Sequence, residues 1–80
     1  MNRVIRSIEL IERIDYLIRL KATGCPKEFA SRLGISKVKL YRTLNVMKVL
    51  DAPLEYSSAL QSYVYIEMVR FEFGFSKNMP

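Results

Sequence analysis

A glycine between two helical patterns is the feature that most constrains this chain. Gly34 directly follows Pro26–Leu33, where Phe29, Ala30 and Leu33 recur at helical spacing. The proline that opens this segment suits the first helical position, where its missing N–H is no loss. A glycine can adopt the left-handed conformation that ends many helices without a steric penalty. The pattern therefore predicts a short helix that stops at Gly34.

A second helical pattern begins two residues later, over about 36–50. Ser36 can cap it by accepting a hydrogen bond from the first free N–H groups. At about 100° per residue, Leu40, Leu44 and Met47 fall on one face, which we expect to be buried. Helix, short turn and helix is the layout of a helix-turn-helix reader, whose second helix lies in the DNA major groove. The alternative is an αα-hairpin within an ordinary helical domain.

The outward side of this second helix carries side chains suited to DNA. Arg and Lys fit guanine edges and phosphates, Asn fits adenine, and Val fits a thymine methyl group. The N-terminal turns of such a helix are the part that enters the groove. The predicted DNA-binding residues are Lys27, Ser36, Lys37, Val38, Lys39, Tyr41, Arg42 and Asn45.

Positive charge is concentrated on the same stretch. The chain has a net charge of +5, and residues 25–50 hold six basic side chains against one acid. Residues 1–24 hold five basic and three acidic side chains, and residues 51–80 hold two and four. A charge distribution that follows the predicted recognition helix favours a polyanionic partner over a merely solvated lysine face.

Other function classes find little support. The chain has no histidine and one cysteine, Cys25, so it offers no zinc site with nitrogen or sulfur ligands and no internal disulfide. We see no Gly-rich phosphate loop, catalytic triad or ligand set, and predict neither an enzyme nor a cofactor or small-molecule ligand. No apolar run could span a membrane, and a cytoplasmic location is expected. Cys25 is either a redox-sensing thiol or simply a half-buried small residue.

The flanking segments complete the expected architecture. An amphipathic first helix carries Ile8, Ile11, Ile14, Leu17 and Ile18 at helical steps. After Asp51, Leu54–Tyr56 and Tyr63–Glu67 indicate a hairpin, and the alternation over Val69–Phe75 indicates a third strand. The predicted fold class is mainly α with a small antiparallel sheet (α+β), as one domain over 1–75 with a C-terminal tail at 76–80.

Three helices and a hairpin make a winged helix-turn-helix, and the residues carry a resemblance. The stretch from Pro26 to Arg42, with Ala52–Tyr56 and Tyr63–Tyr65, resembles the N-terminal DNA-binding domain of DeoR-like and WYL-domain bacterial transcription regulators. It is more similar still to stand-alone winged helix-turn-helix proteins of about this length. The resemblance implies DNA binding, with Ser36 as cap, residues 37–39 and Arg42 toward DNA, and the hairpin as wing.

Two departures from that family affect the expectations. The family often has glycine where Asp51 stands, and glycine with basic residues in the wing. The wing tip here, residues 57–62, has neither Gly, Lys nor Arg. The wing is therefore expected to touch phosphate through polar groups, or to serve as protein surface. The candidate wing residues are Ser57, Ser58, Gln61 and Ser62.

The expected function is a small DNA-binding transcriptional regulator, of bacterial type, acting on double-stranded DNA. The alternatives are a winged-helix protein-interaction module and an architectural nucleic-acid binder without sequence preference. A homodimer is expected because one such domain offers little surface to a specific site. One candidate dimer surface is formed by Phe71, Phe73 and Phe75, although these phenylalanines could instead be core residues. The other candidates are Val46 and Val49, and whichever of Val4, Ile5 and Leu10 the core leaves exposed.

Overall fold

Three helices and a two-stranded sheet follow one another along the chain. A computed structural model describes residues 2–73 and Phe75, and for Asn2 the backbone alone. Within this part, the elements are α1 (Asn2–Arg19), α2 (Pro26–Leu33), α3 (Lys37–Val49), β1 (Leu54–Ser57) and β2 (Ser62–Tyr65). This order confirms the predicted α+β class with a hairpin after three helices. Over the same residues, no helix has both the length and the apolar composition needed to cross a membrane.

All three helices end with the same hydrogen-bonded turn. After α2, Gly34 has φ of +71° and Ile35 donates its N–H back to the carbonyl of Ala30 at 3.0 Å. The same arrangement recurs after α1 at Lys21 (φ +54°) and after α3 at Asp51 (φ +74°): the residue that follows each of them donates its N–H to a carbonyl of the helix. A left-handed residue with these bonds satisfies carbonyls that the helix leaves free. Only one of the three positions carries the residue best suited to it, which is glycine.

The core lies where the three helices meet. Its fully buried residues follow helical spacing on each helix, as the sequence predicts for α1 and α3. Leu17 and Ile8 of the predicted α1 stripe are half-buried instead. The buried apolar set is Ile11, Ile14, Ile18, Phe29, Ala30, Leu33, Leu40, Leu44 and Met47.

The hairpin packs its second strand against α1. Leu54 pairs opposite Tyr65 and Ser57 opposite Ser62, with residues 58–61 as the connecting loop. The Tyr65 hydroxyl donates to the carboxylate of Asp15 at 2.6 Å, and the same carboxylate pairs with Arg19 at 2.9 Å. These polar contacts fix the orientation of the hairpin relative to the three helices.

The prediction of a third strand over Val69–Phe75 is wrong for residues 69–73, which form no strand. The Arg19 guanidinium donates to the carbonyl of Val69, and Phe71 is half-buried against the core. The outer edge of β2 faces the loop after α1. On that edge, the N–H of Tyr63 donates to Thr23 Oγ1 at 2.8 Å. Gly74 and the tail predicted at 76–80 lie outside the described residues.

Candidate nucleic-acid interface

The turn between α2 and α3 has the geometry that the sequence predicts. Gly34 is left-handed, and Ser36 is extended (φ −75°, ψ 160°) immediately before the first residue of α3. The Ser36 hydroxyl oxygen accepts a hydrogen bond from the Lys39 N–H at 3.1 Å. Ile35 is half-buried and packs against the core. The turn thus fixes the angle at which α3 leaves α2, and the predicted cap is confirmed.

The first turn of α2 holds an exposed lysine and a glutamate that caps the helix. Lys27 is exposed in the first turn. The Glu28 carboxylate accepts from the backbone N–H of Cys25 at 3.0 Å, and this hydrogen bond lowers the pKa of Glu28 below its ordinary value. Glu28 is therefore engaged as a helix cap. Cys25 is half-buried with a free thiol, and no group of metal-ligating side chains occurs in the described part of the chain.

The outward side of α3 presents every residue predicted for it. Leu40, Leu44 and Met47 are buried, so the opposite side of the helix faces solvent. Val38, in the first turn, exposes 60% of its surface despite being apolar. The exposed residues of this face are Lys37, Val38, Lys39, Tyr41, Arg42 and Asn45. The helix carries no acidic side chain.

The two flanks of α3 face different neighbours. Tyr41 lies on the hairpin side, near the Tyr63 phenol. Burial raises the pKa of that phenol, and the proximity of Tyr41 and Tyr56 adds to the rise. Lys39 and Arg42 lie on the opposite flank, where they line a groove shared with α1. The helix is therefore bordered by the wing on one side and by α1 on the other.

The hairpin offers fewer polar side chains to a phosphate than the sequence predicts. Ser58 and Gln61 are exposed in the loop, as predicted. Ser57 is half-buried, and its hydroxyl oxygen accepts from the Leu60 N–H at 3.2 Å. Ser62 has no exposed surface and its hydroxyl is bonded to Thr23 and Tyr63. Ser62 is therefore not available to a phosphate, because it begins β2 and points into the protein.

Sequence reasoning missed three arginines of α1. Arg3, Arg6 and Arg13 line the groove beside Lys39 and Arg42. The sequence shows α1 as a helix on which acids and bases alternate, and this alternation hides which side each charge takes. Projection of α1 at helical spacing places these arginines near one another, but only the packing of α1 shows that this side borders α3.

Comparisons of the chain with protein-family models, with curated proteins and with solved structures return no match.

Proposed function

We propose that the protein is a small transcriptional regulator that binds double-stranded DNA with α3 in the major groove. The observation that carries this proposal is the outward face of α3. Behind a turn capped by Ser36, that face presents Lys37, Lys39 and Arg42 to solvent and no acid. A helix with its side chains is about 10–12 Å wide and the major groove is about 12 Å wide, so α3 fits it.

The proposed roles follow from position along α3. Val38 and Lys39 lie in the first turn, the part of a recognition helix that meets base edges. Valine suits a thymine methyl group, and lysine suits the acceptors of guanine. Asn45, two turns from the start, suits adenine if the helix lies deep enough in the groove. Arg42 and Lys37 serve as phosphate contacts, which hold the register of the protein on the duplex.

The wing has a minor role in this proposal. Ser58 and Gln61 are exposed and can donate hydrogen bonds to phosphate oxygens. The loop has no cation, so it lacks the arginine that a minor-groove contact normally uses. Sequence preference is therefore assigned to α3 alone.

Titration of duplex binding against salt tests the proposal. Each phosphate that a cation neutralises adds about 0.9 to the slope of log K against log salt. Partial engagement of the α2 and α3 cations of one subunit alone gives a slope of roughly −3 to −5. These cations are Lys27, Lys37, Lys39, Arg42 and Lys48. A flat response, measured by fluorescence anisotropy on a labelled duplex, would remove nucleic acid from the proposal.

Selection of bound sequences from a random duplex pool separates a regulator from an architectural binder. A regulator enriches one motif over successive rounds. An architectural protein recovers duplexes with no common sequence, because it reads only the backbone and its deformability. The enriched motif would also supply the duplex for quantitative binding measurements.

A protein-interaction module is the second candidate function. The observation that favours it is apolar exposure on α3, where Val38, Val46 and Val49 all lie in contact with solvent. Exposed apolar side chains on one helix are a common feature of protein contact surfaces. Failure to bind any duplex at low salt, together with recovery of one defined partner, would favour this function.

We further propose a cytoplasmic homodimer as the DNA-bound form. A single winged domain offers only about 600–1,000 Å² to DNA, so two copies on a two-fold site would double the contacts. Val49 of α3 and the aromatic residues Phe73 and Phe75 are exposed and are candidates for the contact between subunits.

A further inference from the structure

An open groove of about 550 Å³ runs between residues 3–13 of α1 and the flank of α3. All of the charged side chains that line it are basic. They are Arg3, Arg6 and Arg13 from α1, with Lys39 and Arg42 from α3. The acids of α1 do not line it, although they alternate with these arginines along the sequence.

The five cations have no acidic partner among the described residues. The ion pairs there join Asp15 to Arg19 and Arg70 to Glu72, away from this groove. Like charges gathered along one groove repel one another, and an anion between them would relieve that repulsion. The arrangement therefore favours an anionic occupant.

The apolar part of the lining does not by itself indicate an apolar ligand. Ile11 and Leu33 are buried residues of the core, and Leu10 and Ile35 are packed against it. They form the edge of the core that any groove between α1 and α3 must expose. Val46 is the exposed apolar side chain of the lining. The charged side chains of the lining are all exposed, and they give the groove the chemistry of a phosphate track.

The position of the groove relates it to the proposed DNA contact. A helix that fills the major groove has a phosphate backbone on each side of it. Arg42, which lines the groove on the α1 flank of α3, is one of the phosphate contacts proposed above, so it faces the backbone on that side. We infer that this backbone runs along the groove, and that Arg3, Arg6 and Arg13 bind its phosphates. The inference rests on the proposed function, and it extends the DNA contact from α3 to α1.

A matched pair of variants tests it. Arg6→Gln removes a charge from the groove, and Arg70→Gln removes the same charge from the exposed segment after the hairpin. A triple variant, Arg3→Gln with Arg6→Gln and Arg13→Gln, measures the full effect. Glutamine has nearly the helix propensity of arginine, so α1 should keep its stability, and thermal unfolding of each variant checks this.

The selected duplex and a non-specific duplex are then titrated against salt. The triple variant should reduce the magnitude of the slope by roughly 2–3 for each bound subunit and weaken binding at about 100 mM salt at least tenfold, because each lost phosphate contact removes about 0.9. Arg6→Gln should reduce the slope by more than Arg70→Gln does. Within each half-site, phosphate ethylation interference should lose positions on one strand and keep those on the other.

The outcomes separate the inference from the proposal beneath it. If wild type binds and the folded triple variant keeps its slope and its footprint on both strands, the inference is overturned and the function proposed for α3 stands. If wild type binds no duplex, both are overturned. Loss of affinity with an unchanged salt slope would also overturn it, since it would show that the arginines act otherwise than by neutralising phosphate.

Discussion

The backbone N–H of Thr23 donates to the hydroxyl of Ser62 at 3.2 Å, and both side chains are 0% exposed. The Thr23 hydroxyl accepts from the N–H of Tyr63 at 2.8 Å and donates to the carbonyl of Gly24 at 2.8 Å. The Ser62 hydroxyl donates to the carbonyl of Tyr63 at 2.9 Å. Two buried hydroxyls thus join the loop after α1 to the edge of β2, in the place where a further strand could otherwise pair.

Thr23→Val tests this connection. Valine keeps the shape of threonine but leaves the N–H of Tyr63 without its acceptor. Because a donor that loses its acceptor in a partly buried position is costly, the free energy of unfolding in urea should fall by about 1–3 kcal/mol. Ser58→Ala, in the exposed part of the same hairpin, should change it by less than about 0.5 kcal/mol. Equal stability of Thr23→Val and wild type would show that the hydroxyl is not required.

The same contact explains why the third strand could not be predicted. Alternation over Val69–Phe75 shows only that the segment could present two different faces. A strand also needs a free edge to pair with, and at β2 the N–H of Tyr63 is already bound to Thr23. That partner lies 40 residues away in sequence. Ser62 is predicted to be an exposed loop residue for a related reason. Its polarity alone does not show whether it is the last residue of the loop or the first residue of β2.

The two helices α2 and α3 and the turn between them, by contrast, are specified locally. Gly34, Ser36 and the spacing of Leu40, Leu44 and Met47 each act within one or two helical turns, and all take the predicted conformation or burial. The exposed face of α3 follows from the same periodicity. The position of the α1 arginines beside α3 could not be predicted from this periodicity, because it depends on how two helices pack.

The left-handed residues at the helix ends give opposite expectations for two substitutions. Gly34→Val should lower the free energy of unfolding by more than 1 kcal/mol, since left-handed backbone costs a non-glycine residue about 1–2 kcal/mol. Apart from Gly34 and its two chain neighbours, no heavy atom lies within 4 Å of the position of a Cβ at Gly34, so the loss should come from backbone strain. Asp51→Gly should raise stability, by up to about 1 kcal/mol. Thermal or urea unfolding of both variants measures the contrast, and shifts of the same sign would contradict it.

Glu28 should make stability depend on pH in acid. Its carboxylate is bound to the N–H of Cys25, and its folded-state pKa lies below the ordinary value of 4.5. A carboxyl with a lowered folded pKa contributes stability above its unfolded pKa and loses that contribution as pH falls through the folded value. Wild type should therefore lose more stability than Glu28→Gln between neutral pH and acid below about 4.5. Parallel stability curves for the two proteins would contradict this role.

Substitutions in α3 should separate positioning from reading. Arg42→Ala should weaken binding to the selected duplex and to scrambled duplexes by a similar factor, because a phosphate contact carries no sequence information. Changing Val38 or Lys39 should instead alter the preferred base, with a change in discrimination of about 1–3 kcal/mol per lost contact. Competition titrations with single-base variants of the duplex measure both effects. If none of these substitutions changed affinity or preference, the assignment of α3 as the recognition helix would be wrong.

The three phenylalanines near the C-terminus should divide between folding and assembly. Phe71 is half-buried against the core, whereas Phe73 exposes 65% of its surface and Phe75 is fully exposed. Phe71→Ala should therefore lower stability by about 1–3 kcal/mol through lost burial. Phe73→Ser and Phe75→Ser should leave stability nearly unchanged and weaken the proposed homodimer, whose contact their aromatic surface would otherwise bury. Light scattering at tens of micromolar, with and without the selected duplex, measures the assembly. One subunit per duplex at every concentration, on a site without two-fold symmetry, would show that the protein acts as a monomer.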